Sequence, residues 1–166
     1  MTQKKIVAVS ACLLGQRVRY DGKHQENSIV KSLAEYFDLL AVCPEVEIGL
    51  AVPRDKVSLH LQGNSVRMLT SATPVLDLTN KMQDYARSFV AKYPLSGFIL
   101  KDKSPSCGVK NCKQWQGDIE QDSLGTGIFA ASIMSLCPEL PMIQSHLIEQ
   151  KQELNCFIDK VNSYEY

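Results

Sequence analysis

A chain of 166 residues is long enough for one domain with a full core and too short for two of ordinary size. Its 45% hydrophobic and 22% charged content excludes a disordered chain and a membrane protein, and no apolar run approaches the length of a membrane-crossing helix. Eighteen basic side chains balance eighteen acidic ones, which excludes the electrostatic footprint of a dedicated nucleic-acid binder.

Six cysteines stand at 12, 43, 107, 112, 137 and 156. The stretch Val9-Ser10-Ala11-Cys12 has the look of a lipoprotein cleavage box, but Ile6 to Val9 is too short for the apolar region of a signal peptide. With no leader in front, and a chain too large to need staples, reduced thiols in the cytoplasm are expected rather than disulfides.

Ile6 to Val9 is a short continuous apolar run, the pattern of a buried parallel strand. It leads to Cys12 and then to Arg17-Val18-Arg19-Tyr20-Asp21-Gly22, where Asp-Gly marks a turn. The two arginines read equally as a solvated surface turn or as a loop facing an anion or substrate. Asn27 or Ser28 can cap a helix that places Ile29, Val30, Leu33, Tyr36 and Phe37 at helical spacing. A second strand, Leu39 to Val42, ends at Cys43-Pro44-Glu45, because Pro44 lacks the donor that a central strand needs.

Val57 to Leu61 and Val66 to Met68 alternate on either side of Gly63-Asn64, which predicts a β-hairpin with His60 opposite Leu59 and Leu61, towards solvent. Leu78, Met82, Tyr85 and Phe89 form the core stripe of a helix that Pro94 follows. Leu95 to Leu100 is the third strand. Behind it comes the irregular stretch Lys103-Ser104-Pro105-Ser106-Cys107-Gly108, a loop that delivers a third cysteine, with Lys101, Lys103, Lys110 and Lys113 around it.

Residues 109–125, polar and rich in turn formers, read as a long mobile loop or lid that carries Trp115. Gly125-Thr126-Gly127 opens the next helix. It could cradle an anion, but close packing explains the glycines as well. Pro138 stops that helix, Pro141 to Gln144 suits an edge strand, and Leu147, Leu154, Phe157, Ile158 and Val161 mark a closing helix.

Strands alternating with helices predict a three-layer α/β domain over 1–166, with a mainly parallel sheet, helices on both faces and a small β-hairpin insertion. Cys12, Cys43 and Cys107 then fall on the carboxyl edge of the sheet, where such folds place their sites. Three soft thiolates suit zinc, copper(I) or an iron-sulfur cluster. Structural zinc sites usually use close Cys-x-x-Cys pairs, absent here, whereas a cubane can be held from distant loops. Three ligands would leave the fourth iron open as a Lewis acid, unless Cys112 closes it. Near the trio, Glu45 is a candidate general acid or base and Ser104 a candidate hydrogen-bond partner for substrate or water. Their bland readings are a solvated carboxylate and a turn residue.

At Ser10-Ala11-Cys12-Leu13-Leu14-Gly15, Arg19-Tyr20-Asp21-Gly22, Cys43-Pro44-Glu45, Gly49-Leu50 through Pro53-Arg54, and Ser104-Pro105-Ser106-Cys107-Gly108, the chain resembles the thiouracil desulfidase (TudS) family, formerly domain of unknown function 523 and also called YbbK-like. The resemblance implies a [4Fe-4S] cluster on Cys12, Cys43 and Cys107, with Glu45 and Ser104 catalytic. It also implies a hydrolytic reaction in which the sulfur of a thiolated pyrimidine leaves on the open iron. Arg19, Asp21, His24 and Ser106, in or beside the matching stretches, are expected to face the substrate.

Leu140-Pro141 and Asn155 to Val161 look like the close of the catalytic half of two-domain relatives that act on 4-thiouridine in tRNA, and the chain stops where their second domain would begin. Its neutral charge favours a small thiolated pyrimidine over tRNA, which would need a separate partner to supply a basic surface. Lys23, where many members have a second glycine, and the Lys110-Asn111-Cys112-Lys113 segment depart from the family pattern. A non-enzymatic iron-sulfur or zinc protein, a sulfur carrier or sensor, remains the alternative. Neither reading involves a membrane.

Overall fold

The computed structural model describes residues 3–166. In chain order the elements are β1 (Ile6–Ser10), α1 (Ser28–Ser32), β2 (Asp38–Val42), α2 (Pro44–Glu47), β3 (Val57–Gln62), β4 (Ser65–Thr70) and α3 (Thr79–Lys92). There follow β5 (Leu95–Leu100), β6 (Gln114–Gln116), β7 (Ile119–Glu120), α4 (Ile128–Leu136), β8 (Met142–Gln144) and α5 (Lys151–Ser163). The Cys12 thiol sits in a short 3-10 turn, Ala11–Leu14, directly after β1.

One sheet has the order β2-β1-β5-β8, and every pair in it is parallel. Covered on both sides, its central strands carry apolar side chains towards both faces; all six residues of β5 are buried. On one face Ala8, Phe98 and Leu100 pack against Met82, Ala86 and Phe89 of α3 and Phe129 and Ile133 of α4. On the other, Val7, Val9 and Ile99 meet Val30 of α1 and Phe157 and Val161 of α5. The architecture is therefore the expected three-layer α/β arrangement.

Local chemistry sets the element ends. The Asn27 side chain accepts from the N–H groups of Ile29 and Val30, which caps α1 as expected and contributes about 1 kcal/mol. After Ser32 the helix tightens into a 3-10 turn, which buries Leu33 and Phe37 but turns Tyr36 outward, 61% exposed. Tyr36 is thus not a core residue, because the α-helical spacing that placed it there ends before it.

At Gly97 a β-carbon would lie 2.7 Å from Val161 Cγ2 and 3.2 Å from the Phe157 ring, so α5 lies directly on the strand backbone. Gly97→Ala is expected to cost about 1–3 kcal/mol through overpacking and to lower Tm by about 2–4 °C per kcal/mol, as thermal unfolding will read.

The largest difference from the sequence reading lies at 109–125. The expected hairpin β3–β4 forms, with Leu59 opposite Met68, but it does not stand alone. β6 adds to β3 in parallel and β7 pairs with β6, giving a second, four-stranded sheet of order β4-β3-β6-β7. The polar segment is therefore an ordered sheet extension rather than a lid. Its strands span three and two residues, too short to show a periodicity, and Trp115 lies opposite His60 within it. His60 is half-buried and hydrogen-bonded to Ser58 Oγ at 2.9 Å, so it is not simply turned to solvent.

Candidate functional site

Parallel pairing places the carboxyl ends of β1, β2 and β5 side by side, with Ser10 level with Val42. Beyond that edge lies a cavity of about 510 Å³, lined by Cys12, Cys43 and Cys107 together with Glu45, Ser104, Ser106, Arg19, Arg54, Lys101 and Gln25. All six cysteines are free thiols. The three sulfurs border a space instead of converging on a point: among the described residues no three His, Cys, Asp or Glu side chains are grouped as ligands of one metal ion.

Cys12 and Cys107 are buried and Cys43 is half-buried, and the first two feel the neighbouring thiols. Burial, with Lys101 pulling down and Cys43 pushing up, raises the Cys12 thiol to about 11. Burial likewise raises Cys43, against N–H donors from Val46 and Glu45. Cys107, 3% exposed, is pushed far up by burial, with the Ser10 hydroxyl lowering it and the neighbouring Cys43 and Cys12 raising it further. Buried thiols with this mutual penalty are soft donors that a polynuclear cation would stabilise as thiolates. The donor set and the cavity fit a cluster held from three loops.

The Cys107 loop owes its shape to α4. Gly127 N–H donates to Gly108 O at 2.8 Å, Ile128 N–H to Pro105 O at 3.0 Å and Ala130 N–H to Ser106 O at 2.9 Å. A β-carbon on Gly127 would meet the Ser106 carbonyl carbon at 2.4 Å. The Gly125-Thr126-Gly127 motif thus serves close packing against this loop, and the N–H groups of Gly127, Ile128 and Ala130 that an anion would use are taken. Thr126 Oγ1 is likewise engaged, accepting from Lys110 N–H. On its other side the loop is fixed by Asn111, which accepts from Lys103 N–H and donates to Gln144 of β8.

Ser104 Oγ accepts from the N–H groups of Ser106 (3.2 Å) and Cys107 (3.1 Å), so it both forms the turn and keeps its own hydrogen for the cavity. Ser106 is 1% exposed and donates to Glu45 Oε1 at 2.7 Å, so its hydroxyl serves Glu45 rather than reaching outward. Glu45 Oε2 accepts from Arg54 Nε at 2.8 Å and pairs with Nη2 at 2.7 Å.

Among the expected substrate-facing residues, Arg19 and Ser106 line the cavity while Asp21 and His24 do not. Asp21 pairs with Arg19 at 3.7 Å and accepts from Lys23 N–H within the turn, and exposed His24 accepts from Glu26 N–H. Cys112 is buried behind the loop, its thiol donating to Ser104 O at 2.9 Å, and is not part of the cavity wall. Of the four lysines, Lys101 and Lys103 reach the wall; Lys113 pairs with Glu120 instead. The sequence reading gave no role to Arg54 or Gln25, and placed Lys101 only among the lysines around Cys107. Arg54 was legible only as the last residue of a matching stretch, since nothing in sequence shows that an arginine is buried.

The sequence matches the profile of the 2-thiouracil desulfurase family over residues 7–145. The chain belongs to that family. This desulfurase-family chain is also 27% identical over 110 residues to the uncharacterized protein YbbK of Bacillus subtilis (strain 168), a match spanning 62% of the chain and 73% of the relative. Among solved structures it is similar to a [4Fe-4S]-dependent thiouracil desulfidase, TudS, at TM-score 0.68 and 27% identity, covering 93% of this chain and 99% of that one. Residues 7–145 of the desulfurase match contain all three cavity cysteines, Glu45, Arg54 and Ser104.

Proposed function

We propose that this desulfurase-family protein holds a [4Fe-4S] cluster on Cys12, Cys43 and Cys107 and removes sulfur from a thiolated pyrimidine by hydrolysis. The observation that carries the reading is that three thiols, two buried and one half-buried, line one cavity with a fixed carboxylate and a free serine hydroxyl at the carboxyl edge of a parallel sheet. When bound, a cluster with three protein ligands supplies an open iron position, a Lewis acid suited to a soft thiocarbonyl sulfur.

The reaction balances without electrons: water adds its oxygen to the thiocarbonyl carbon, the carbon–sulfur bond breaks, and two protons end on the departing sulfide. In this reading Glu45 takes the proton of the attacking water. Its Oε2 is held by Arg54, which leaves Oε1 as the working oxygen. The Ser106 hydroxyl can donate to Oε1 when it is ionised and turn to accept when it is protonated, so the pair stays bonded throughout. Ser104, its oxygen fixed by two backbone donors, offers its hydrogen to the water or to the pyrimidine. Lys103 and Arg19 add positive charge to this wall, which suits an electron-rich heterocycle, whereas Lys101 is paired with Asp102 of the same wall at 2.8 Å. A cavity of about 510 Å³ is within the range of small-molecule sites, about 300–1,000 Å³, and balanced net charge favours a free base or nucleoside over tRNA.

Anaerobic loading with iron and sulfide, followed by metal counts and sulfide-release assays on 2-thiouracil, 4-thiouracil and 4-thiouridine, tests this. Four irons with sulfide release are expected. Four irons with no release from any of the three would favour a carrier or sensor, and no iron would sink the cluster. Serine at position 12, 43 or 107 is expected to abolish cluster binding. Cys112→Ser should leave the iron count unchanged, because that thiol faces Ser104 O behind the loop; lost iron in that variant would make it a ligand.

A further inference from the structure

Arg54 is buried, its side chain 7% exposed, beside a Glu45 side chain that is 12% exposed. A buried arginine commonly neutralises a carboxylate through both oxygens in a fork. Here Nε and Nη2 both go to Oε2, leaving Oε1 to Ser106. The remaining guanidinium group is not free: Nη1 donates to Val18 O at 2.9 Å and Ala51 O at 3.3 Å. The Arg54 backbone N–H donates to Tyr20 O at 2.9 Å. One residue therefore ties together two separate walls of the cavity, the carboxylate at the start of α2 and the segment 18–20 that carries Arg19.

We propose that Arg54 is a positioning residue. It orients the Glu45 carboxylate so that Oε1 faces the reacting atoms, and it straps the Arg19-bearing segment to that carboxylate. The proposal rests on the reading of Glu45 as the proton-moving group. Lysine cannot replace it, because an ammonium lacks the planar array that reaches Oε2 twice and Val18 O at once. A small displacement of a catalytic group costs up to about 10²-fold in rate, so the effect should fall on turnover.

The test uses the anaerobically loaded full chain carrying Arg54→Ala or Arg54→Lys, measured for iron count, visible spectrum, kcat and KM of sulfide release, and amide hydrogen exchange. The expected result is an unchanged iron count and spectrum, and a kcat lowered by about 10- to 10²-fold with a smaller change in KM. Low concentrations of guanidinium should partly restore Arg54→Ala, Arg54→Lys should remain slow, and residues 17–22 should exchange faster in both. Arg54→Ala with kcat within twofold of the parent overturns the proposal, as does a loss of rate that only follows lost iron. Unchanged exchange over 17–22 overturns the strap whether or not any substrate turns over. A fully active Glu45→Gln overturns the underlying reading of Glu45, whereas an inactive Glu45→Gln beside a fully active Arg54→Ala overturns the Arg54 role alone.

Discussion

Glu45→Gln is expected to lower sulfide release by about 10²- to 10⁴-fold while leaving the iron count and spectrum of the loaded protein unchanged. Glutamine keeps the shape of the side chain and an oxygen for Arg54 or Ser106, but it cannot take a proton from water. Glu45 belongs to α2, whose first residue Pro44 follows Cys43, so carboxylate and thiol are placed by the same turn of chain. A change of charge alone leaves that turn intact, which is why cluster binding should survive. Anaerobic titration of iron, the spectrum and a sulfide assay on one preparation check both halves. Full activity would remove Glu45 from the chemistry; loss of iron would make its role structural.

Gly127→Ala is expected to abolish cluster binding and to destabilise the protein by about 1–3 kcal/mol or more. The added carbon would lie 2.4 Å from Ser106 C, 2.5 Å from Ser106 O and 2.8 Å from Cys107 N. These are backbone atoms, so no rotamer change relieves the contact; the loop must move, and Cys107 moves with it. Gly97→Ala, crowded less tightly and against side chains of α5 on the face opposite α4, provides the contrast: it should lose stability without losing iron. Thermal unfolding and iron counts on the two variants separate loop placement from general overpacking. Equal iron loss in both would show that any destabilisation empties the site.

The parts of this molecule that could be read in advance are those whose signals are local or strictly periodic. Continuous apolar runs marked β1, β2 and β5, and because parallel strands share a direction, the cysteines behind them had to meet at one edge. Asn27 and the β3–β4 alternation announced a cap and a hairpin through side-chain chemistry that acts over a few residues. The second sheet was illegible for the opposite reason. Its β6 and β7 are too short and polar to carry a pattern, and they are strands only because β3 offers an edge more than 50 residues earlier in the chain.

The site divides in the same way. Cys12, Cys43, Cys107, Glu45 and Ser104 are chemically distinctive residues at strand ends, and the structure brings all five to one cavity. Ser106 and Arg54 acquire their place only through a tertiary contact with Glu45. His24, although next to a matching stretch, is turned away because Asp21-Gly22 reverses the chain before it. Gly127 read as a candidate anion cradle until the loop packed beneath it was known.

The most direct test of hydrolytic desulfurisation is turnover of 2-thiouracil by the anaerobically loaded protein in ¹⁸O-labelled water, without reductant. The prediction is one sulfide per uracil, with the label in the new carbonyl oxygen. Unlabelled uracil, or sulfide release only when a reductant is supplied, would contradict hydrolysis and require a different chemistry for this cavity.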